Sequence, residues 1–238
     1  MEHGEVKQRE ASIVIVGDFD PLMMAPHWFV KNGMIPQEDV DDNLSIDIVY
    51  KEATRFSLAS IVVEILVDRV ILRSYLSSFD YKIHDLAVGI LSLPAFKNTK
   101  VSGVGLNVFH DVSVTDDEVF HRLGDRLAPK DIWLNSMPDI DRAGLWQLQV
   151  QLVKASNVPG VYNFTAVRSE IKNGLRFSLN NHFDDVNFRG ELKKSPTKKP
   201  KGSHVFDAVA LVSAYWQETL DVHVHVIESL LNNIAQEI

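Results

Sequence analysis

Cysteine is absent from the sequence, so the chain can form neither a disulfide framework nor a thiolate metal site. A chain without cysteine suits a reducing compartment, and we expect this protein to be cytoplasmic. No run of about 18 apolar residues occurs, so we expect no transmembrane helix. Residues Met1–Glu10 carry mixed charge with no apolar stretch behind a basic region, which argues against a secretory signal and against a membrane partner.

Basic residues are the minority among the charged ones. The sequence has 24 Lys and Arg against 32 Asp and Glu, a formal net charge of −8. This balance repels a polyanion over most of the surface, so it disfavours a general nucleic-acid binder. The length of 238 residues and the hydrophobic content of 45% are enough for a sizeable core. We expect a single compact domain over 1–238, with one lobe at 11–140 and a second lobe at 141–238.

Fingerprints of common cofactor and catalytic sites are missing as well. The pair Gly103-x-Gly105 is not a dinucleotide fingerprint, because the third glycine and the following helix start are absent. The sequence has no Walker lysine, no Gly-x-Ser-x-Gly and no paired metal-binding helix motif. We therefore expect no cofactor and no resident metal.

The first lobe shows strand patterns interrupted by two helical ones. Runs of β-branched and alternating apolar residues predict strands at Ala11–Val16, Leu44–Tyr50 and Lys100–His110, and a hairpin at Ser60–Ser74. Helical spacing predicts helices at Asp80–Leu93 and from Thr115 to about Leu127. The residues before Ala11 are expected to fray.

The second lobe predicts a three-stranded meander followed by a long helix. Apolar residues alternate with glutamines from Trp146 to Leu152, and further strands are expected at Val161–Glu170 and Leu175–Phe183. Helical spacing is sustained over Val205–Ile234. The stripe expected to dock on the sheet is Phe206, Val209, Val212, Trp216, Leu220, Val224, Ile227, Leu231 and Ile234. The fold class is therefore α+β, mainly antiparallel sheet in two lobes with two mid-chain helices and one long C-terminal helix.

Two short segments resemble a known group of proteins. They are Thr99–Asn107 and Asn180–Asp184, the latter followed by the long helix. With the order of elements from Ser60 onward, they resemble a sporadically distributed group of uncharacterised bacterial α+β proteins, in which a strand with a glycine signature precedes a second sheet and a closing helix. This sequence lacks the Arg and Tyr that usually follow the glycine. The resemblance implies an α+β accessory protein of prokaryotic or phage origin, and it implies nothing about catalysis.

Polar residues at two strand ends form the first candidate site. His110 and Asp111 end one strand, with Asn107 just before them, and His182, Asp184 and Asp185 end another. If the two ends converge, imidazole and carboxylate groups could ligate a divalent metal or supply a general base. Asn, His and Asp are also favoured wherever a strand enters a turn, because they satisfy the freed backbone groups, and that structural interpretation carries more weight.

Two further candidates lie near the C-terminus. A basic loop at Arg189–Ser203 could meet nucleic-acid phosphates, although it contains no aromatic residue for stacking. His223 and His225 point in nearly opposite directions on a helix, so joint metal ligation is not expected, but one of them could titrate in an interface. The lysines of the loop that would bind nucleic acid are Lys193, Lys194, Lys198, Lys199 and Lys201.

Three functional hypotheses follow, and the first is favoured. The favoured one is a non-enzymatic protein that binds another protein, including a second copy of itself, as part of an intracellular prokaryotic or phage-related complex. It rests on open sheet edges, on aromatic residues such as Trp28, Trp133 and Trp216, and on a second apolar face of the long helix. The alternatives are a metal-dependent hydrolase or nuclease using the strand ends, and a nucleic-acid accessory factor using the basic loop. The interface residues expected on the second helix face are Tyr215, Val222 and Val226.

Overall fold

A single antiparallel sheet of nine strands forms the body of the described part of the protein. The computed structural model describes residues 4–94, 96, 101–114, 116–137, 139–155, 158–184 and 206–235. The strands are β1 (Gly4–Val16), β2 (Leu44–Val49), β3 (Ala53–Leu58), β4 (Ile61–Leu66), β5 (Arg69–Ser74), β6 (Gly103–Val114), β7 (Gln147–Val153), β8 (Val161–Arg168) and β9 (Gly174–Asp184). Across the sheet their order is β2-β3-β4-β5-β1-β6-β9-β8-β7, so β2 and β7 are the two edges.

Helices cover one face of this sheet. The helices are α1 (Pro26–Lys31), α2 (Gln37–Asn43), α3 (Asp80–Ser92), α4 (Asp117–Leu127), α5 (Asp131–Ser136) and α6 (Ala208–Ala235). The long helix α6 packs on β6 and β9 and also contacts α3 and α4, while α3 packs on β1 and β5. These contacts confirm the predicted α+β class, with a long C-terminal helix over an antiparallel sheet.

The alternation of side chains along each strand decides which face the helices cover. In β1, Ala11, Ile13 and Ile15 are fully buried, and their partners on β6 are buried apolar residues too. Neighbouring residues such as Glu10 point to the opposite face, because successive side chains of a strand alternate. The sheet therefore has an apolar face under the helices and a more polar face, which we call the open face.

The pairing of β1 with β6 lies at the centre of the sheet and within the first predicted lobe, and β6 joins this lobe to the second one through its pairing with β9. The pairing of β1 with β6 runs from Gly4 opposite Val114 to Val16 opposite Gly103, with one irregularity between Val6 and Gln8. The prediction that the residues before Ala11 fray is therefore wrong for Gly4–Glu10, which continue the strand. Charged and polar side chains there hid a strand whose pairing partner lies far along the sequence.

Other local predictions are confirmed, with small shifts. The hairpin predicted at Ser60–Ser74 is β4 and β5. The meander is β7, β8 and β9, and Asn173 has the positive φ of 51° expected in its second turn. Asp116 caps α4 by accepting a hydrogen bond from the backbone N–H of Val119 at 2.7 Å. Strand β3 was not predicted.

The buried stripe of α6 differs from the predicted one in its second half. Trp216 and Ile227 are buried as expected, but Leu220 is only half-buried and Val224 is exposed. Each step of four residues turns the stripe by about 40° around a helix with 3.6 residues per turn. Two successive steps from Trp216 therefore move Val224 away from the sheet, and His223 takes the buried position.

Trp216→Ala tests whether α6 closes the fold. Trp216 is 4% exposed and belongs to the core between α6 and the sheet, so the substitution should lower the free energy of unfolding by about 3 to 5 kcal/mol. Val224→Ala on the same helix is the control and should change it by less than about 0.5 kcal/mol. Urea denaturation of the two variants measures the difference, and equal losses would contradict this docking geometry.

Candidate functional site

The two polar strand ends do not meet. His110 lies opposite Phe177 on the neighbouring strand β9, whereas His182 lies opposite Gly105. Five positions of an antiparallel strand correspond to about 17 Å. His110 faces the helices, while His182 precedes the buried Phe183 and so points to the open face. His110, Asp111, His182 and Asp184 therefore form no common site.

The carboxylates of this predicted cluster have other partners. Asp111 is 1% exposed and accepts two hydrogen bonds from Arg176, with Nε to Oδ1 at 3.0 Å and Nη2 to Oδ2 at 2.6 Å. The guanidinium of Arg176 also lies 4.4 Å from the ring centre of Phe109. At the end of β9, Nε2 of His182 lies 3.2 Å from Oδ2 of Asp184. Within the described ranges no group of three or more His, Asp or Glu side chains is placed to hold a metal ion.

His110 contributes instead to a buried pair of imidazoles. Its ring stacks on that of His223 at a centroid distance of 5.1 Å and an interplanar angle of 16°. His223 is fully buried, and among the described residues neither of its nitrogens nor Nδ1 of His110 has a hydrogen-bond partner. Burial lowers the pKa of His110 to about 4 and that of His223 to about 3, and the cation of Arg9 adds to both shifts. Of the two histidines, His223 and His225, one of which was expected to titrate in an interface, His223 is therefore excluded.

Arg9 lies beside this histidine pair and forms an ion pair of its own. Its guanidinium forms a two-pronged ion pair with Asp80 at the start of α3, and both side chains are largely buried. Arg9, Asp80 and His110 line a cavity of about 730 Å³ between α3 and α6. Asp80 begins the helix that the sequence predicted, and its side chain holds α3 against β1.

Lys154 occupies an aromatic box at the end of β7. Its Nζ lies 4.1 Å from the ring centre of Tyr162, 4.8 Å from that of Tyr215 and 5.1 Å from that of Phe183. Nζ is buried without a hydrogen-bond partner, and burial lowers the lysine pKa to about 8. The Tyr162 hydroxyl donates to Glu218 at 2.8 Å, and burial with this bond raises the tyrosine pKa. Sequence reasoning missed this cluster because its members are far apart along the chain.

A row of amide side chains crosses the open face. Gln151 donates to Asn163 at 3.1 Å, Asn163 to Asn180 at 3.1 Å, and Asn180 to Asn107 at 2.6 Å. The row thus links β7, β8, β9 and β6 in sheet order. Asn107, Asn163 and Asn180 line a shallow groove of about 440 Å³. The alternating glutamines of β7 predicted a polar face, but not the bonds across strands.

The predicted interface residues of α6 pack against the protein's own core. Tyr215, Val222 and Val226 are half-buried, and they border the buried face of the helix rather than lying opposite it. Their role in an interface stays a prediction. Among the tryptophans, Trp133 is exposed, Trp28 packs partly against the core and Trp216 is buried. The lysines of the basic loop lie outside the described residues, as does Asp185.

The two sheet edges differ in how well they are protected. Edge strand β2 contains a bulge between Ile46 and Ile48, and its Asp47 forms an ion pair with Arg55 at 3.1 Å. Edge strand β7 pairs with β8 over seven consecutive residues without a bulge. Its sequence, Gln-Leu-Gln-Val-Gln-Leu-Val, contains no charge, no proline and no glycine. Bulges, charges and prolines are the devices that keep strand edges from pairing with another chain, and β7 has none of them.

Comparisons with known proteins give no further guide to this site. No protein-family model matches the chain, and a search of curated proteins found no significant match. None of the helices in the described part of the chain combines the length and apolar character needed to cross a membrane.

The buried imidazoles should make stability depend on pH. In the unfolded chain each histidine takes up a proton with an ordinary pKa near 6.5, whereas in the folded chain burial keeps these two imidazoles neutral. The free energy of unfolding is therefore highest above about pH 7, and it falls as the pH drops toward 4. The loss between pH 8 and pH 5 should be about 2 kcal/mol for each imidazole. His223→Leu should remove the part of this loss that comes from His223. Urea melts of the variant at pH 8 and at pH 5 should therefore differ by about 2 kcal/mol less than those of the unmodified chain. His225→Leu, an exposed residue of the same helix, controls for the loss of a histidine as such, and an unchanged slope in His223→Leu would contradict the assignment.

Proposed function

We propose that this chain is a non-enzymatic interaction protein that pairs with an extended protein segment along its edge strand β7. The observation that carries the proposal is that this edge is unprotected within the part of the chain that the structure describes. Strand addition of this kind obtains affinity from main-chain hydrogen bonds and specificity from alternate side chains. The accessory role and the cytoplasmic location expected from the sequence are part of the same proposal.

The backbone of β7 supports the proposal because half of its polar groups point away from the sheet. The carbonyl of Trp146 accepts a hydrogen bond from the N–H of Arg168 on β8 at 3.1 Å. Hydrogen-bonding direction alternates along an antiparallel strand, so the even-numbered residues bond inward. The N–H and C=O groups of Gln147, Gln149, Gln151 and Val153 therefore point outward at the edge.

Apolar side chains around the edge add to its suitability as a docking surface. Leu152 and Val153, in β7 itself, are 48% and 55% exposed, and Trp146 just before it is 74% exposed. Such a concentration of exposed apolar residues marks protein-binding surfaces.

The alternative enzymatic hypothesis lacks this kind of support. It requires His110 and His182 to share a site, and they lie about 17 Å apart on opposite faces of the sheet. The most perturbed imidazoles, His110 and His223, are buried under α6. The open-face carboxylate of Asp111 is held by Arg176. An interaction surface at the edge is the function that the geometry supports best.

A photo-crosslinking residue at Gln149 tests the proposal in the cell. We expect it to yield a discrete protein adduct, because Gln149 is exposed at the middle of the edge. The same photo-crosslinking residue placed at Gln217, an exposed position of α6, should yield no protein adduct. Gln147→Lys with Gln151→Lys should abolish the adduct at Gln149, since lysines on an edge oppose pairing.

A charge at the other edge is the matched control. Ser45 is an exposed residue of β2, and Ser45→Lys should leave the adduct at Gln149 unchanged. Circular dichroism checks that each variant is folded. If folded protein gives no adduct at Gln149, or if the adduct survives both lysines, β7 is not the binding edge.

A further inference from the structure

We infer that the segment that pairs with β7 is β7 of a second copy, related by a two-fold axis through Val150. This inference rests on the proposed function of the edge. The strand is nearly the same in both directions about Val150, with Gln149 and Gln151 on either side and Leu148 and Leu152 next. Antiparallel pairing places residues equidistant from the centre opposite each other, so a strand with this symmetry is complementary to itself.

The direction of the backbone groups agrees with a centre at Val150. In this register Gln149 faces Gln151 of the second copy, and both residues have outward-pointing N–H and C=O groups. Gln147 faces Val153 in the same way. The pairing would form about eight inter-chain hydrogen bonds, two for each such residue pair. Val150 faces its own copy as a non-hydrogen-bonded pair, the arrangement in which opposing side chains are closest.

A two-fold axis through another residue of β7 would pair fewer residues of the edge. A centre at Gln149 or at Gln151 keeps the hydrogen-bonding alternation, but it moves the pairing off one end of β7. It also sets leucine opposite valine in place of leucine opposite leucine. Only the centre at Val150 pairs all seven residues of the strand.

Side chains on both faces match in this register. On the helix-covered side, Leu148 meets Leu152 of the second copy, which covers an exposed apolar side chain. On the open face Gln149 meets Gln151, the first member of the amide row through Asn163 and Asn180. The amide row of each copy then continues onto a glutamine of the other. Amide side chains donate and accept at once, so a glutamine pair needs no third partner.

The ends of the strand also find partners. Trp146 lies opposite Lys154 of the second copy, next to the aromatic box of Tyr162, Phe183 and Tyr215. Trp146 is the most exposed large apolar side chain of the described residues, and pairing would bring it over this box. The strands carry no charge, so two acidic molecules can approach at β7 without placing like charges opposite each other. The resulting sheet is continuous across both copies, with the helices on one side.

The absence of native cysteine makes this register directly testable. In a non-hydrogen-bonded antiparallel pair the Cα atoms lie about 4.5 Å apart, within the range that a disulfide spans. Val150→Cys should therefore form a disulfide-linked dimer under mild oxidation of the purified full chain. Leu148→Cys alone and Leu152→Cys alone should give at least about tenfold less dimer, because each faces a leucine of the other copy. A mixture of these two variants should crosslink as a heterodimer.

A charge exchange tests the same contact without a crosslink. Light scattering and sedimentation should show a dimer for the unmodified chain and a monomer for Gln149→Lys with Gln151→Lys, which sets lysine opposite lysine. Gln149→Lys with Gln151→Glu sets lysine opposite glutamate twice and should restore the dimer.

The possible outcomes separate this inference from the proposed function. A monomeric chain that still crosslinks another protein through Gln149 in the cell would overturn the dimer and leave edge pairing in place. A dimer that Val150→Cys fails to trap, and that survives the two lysines, would use another surface and would also overturn the inference. Failure of both the dimer and the cellular adduct would remove the function proposed for β7 altogether.

Discussion

The long pairing of β1 with β6 is the interaction on which the rest of this structure depends. It joins the hairpin strands β2 to β5 to the meander β7 to β9, and α6 lies over the region where the two halves meet. The polar groups of that region are buried with it. Arg9 of β1 pairs with Asp80 of α3, and His110 of β6 stacks on His223 of α6. These groups are costly to bury, and their positions follow from the need to close one sheet under one long helix.

The helices cover a single face of the sheet. The polar side chains of the open face must therefore find their hydrogen-bond and charge partners within the sheet itself. On the open face, amides bond to amides across four strands, and Arg176 neutralises Asp111. Arg73 likewise lies between Glu10 and Glu64. These amides and charged groups of the open face therefore already have partners within the chain. The outward backbone groups of an edge strand have no such neighbour in the sheet, so the edge is the better place to look for a partner.

Much of the fold was predictable because the sequence patterns are local. The hairpin of β4 and β5 has uninterrupted apolar runs around a polar turn, and α3 and α6 have helical spacing over many residues. Residues Gly4–Glu10 were missed because their polar sequence becomes a strand only through a partner far along the chain. Strand β3 pairs with its sequence neighbours β2 and β4, and it was missed because Phe56 and Leu58 are its only large apolar residues. The site was less predictable still. His110 and Asp111 are adjacent in sequence, yet alternation sends one under the helices and the other to the open face, and that depends on the register with β1.

The same reasoning explains why β7 was predicted as a strand but not as an exposed edge. Alternation of glutamine with leucine and valine predicts one wet face and one apolar face, which is correct. Whether a strand is at an edge depends on the order of strands, and a meander of three strands can attach to a sheet through either end. Here β9 attaches to β6, so β7 is left outside. An uncharged, regular strand of this composition invites uncontrolled pairing when it is exposed. A symmetric partner that covers all seven residues removes that hazard, because pairing closes after two copies instead of continuing to a third.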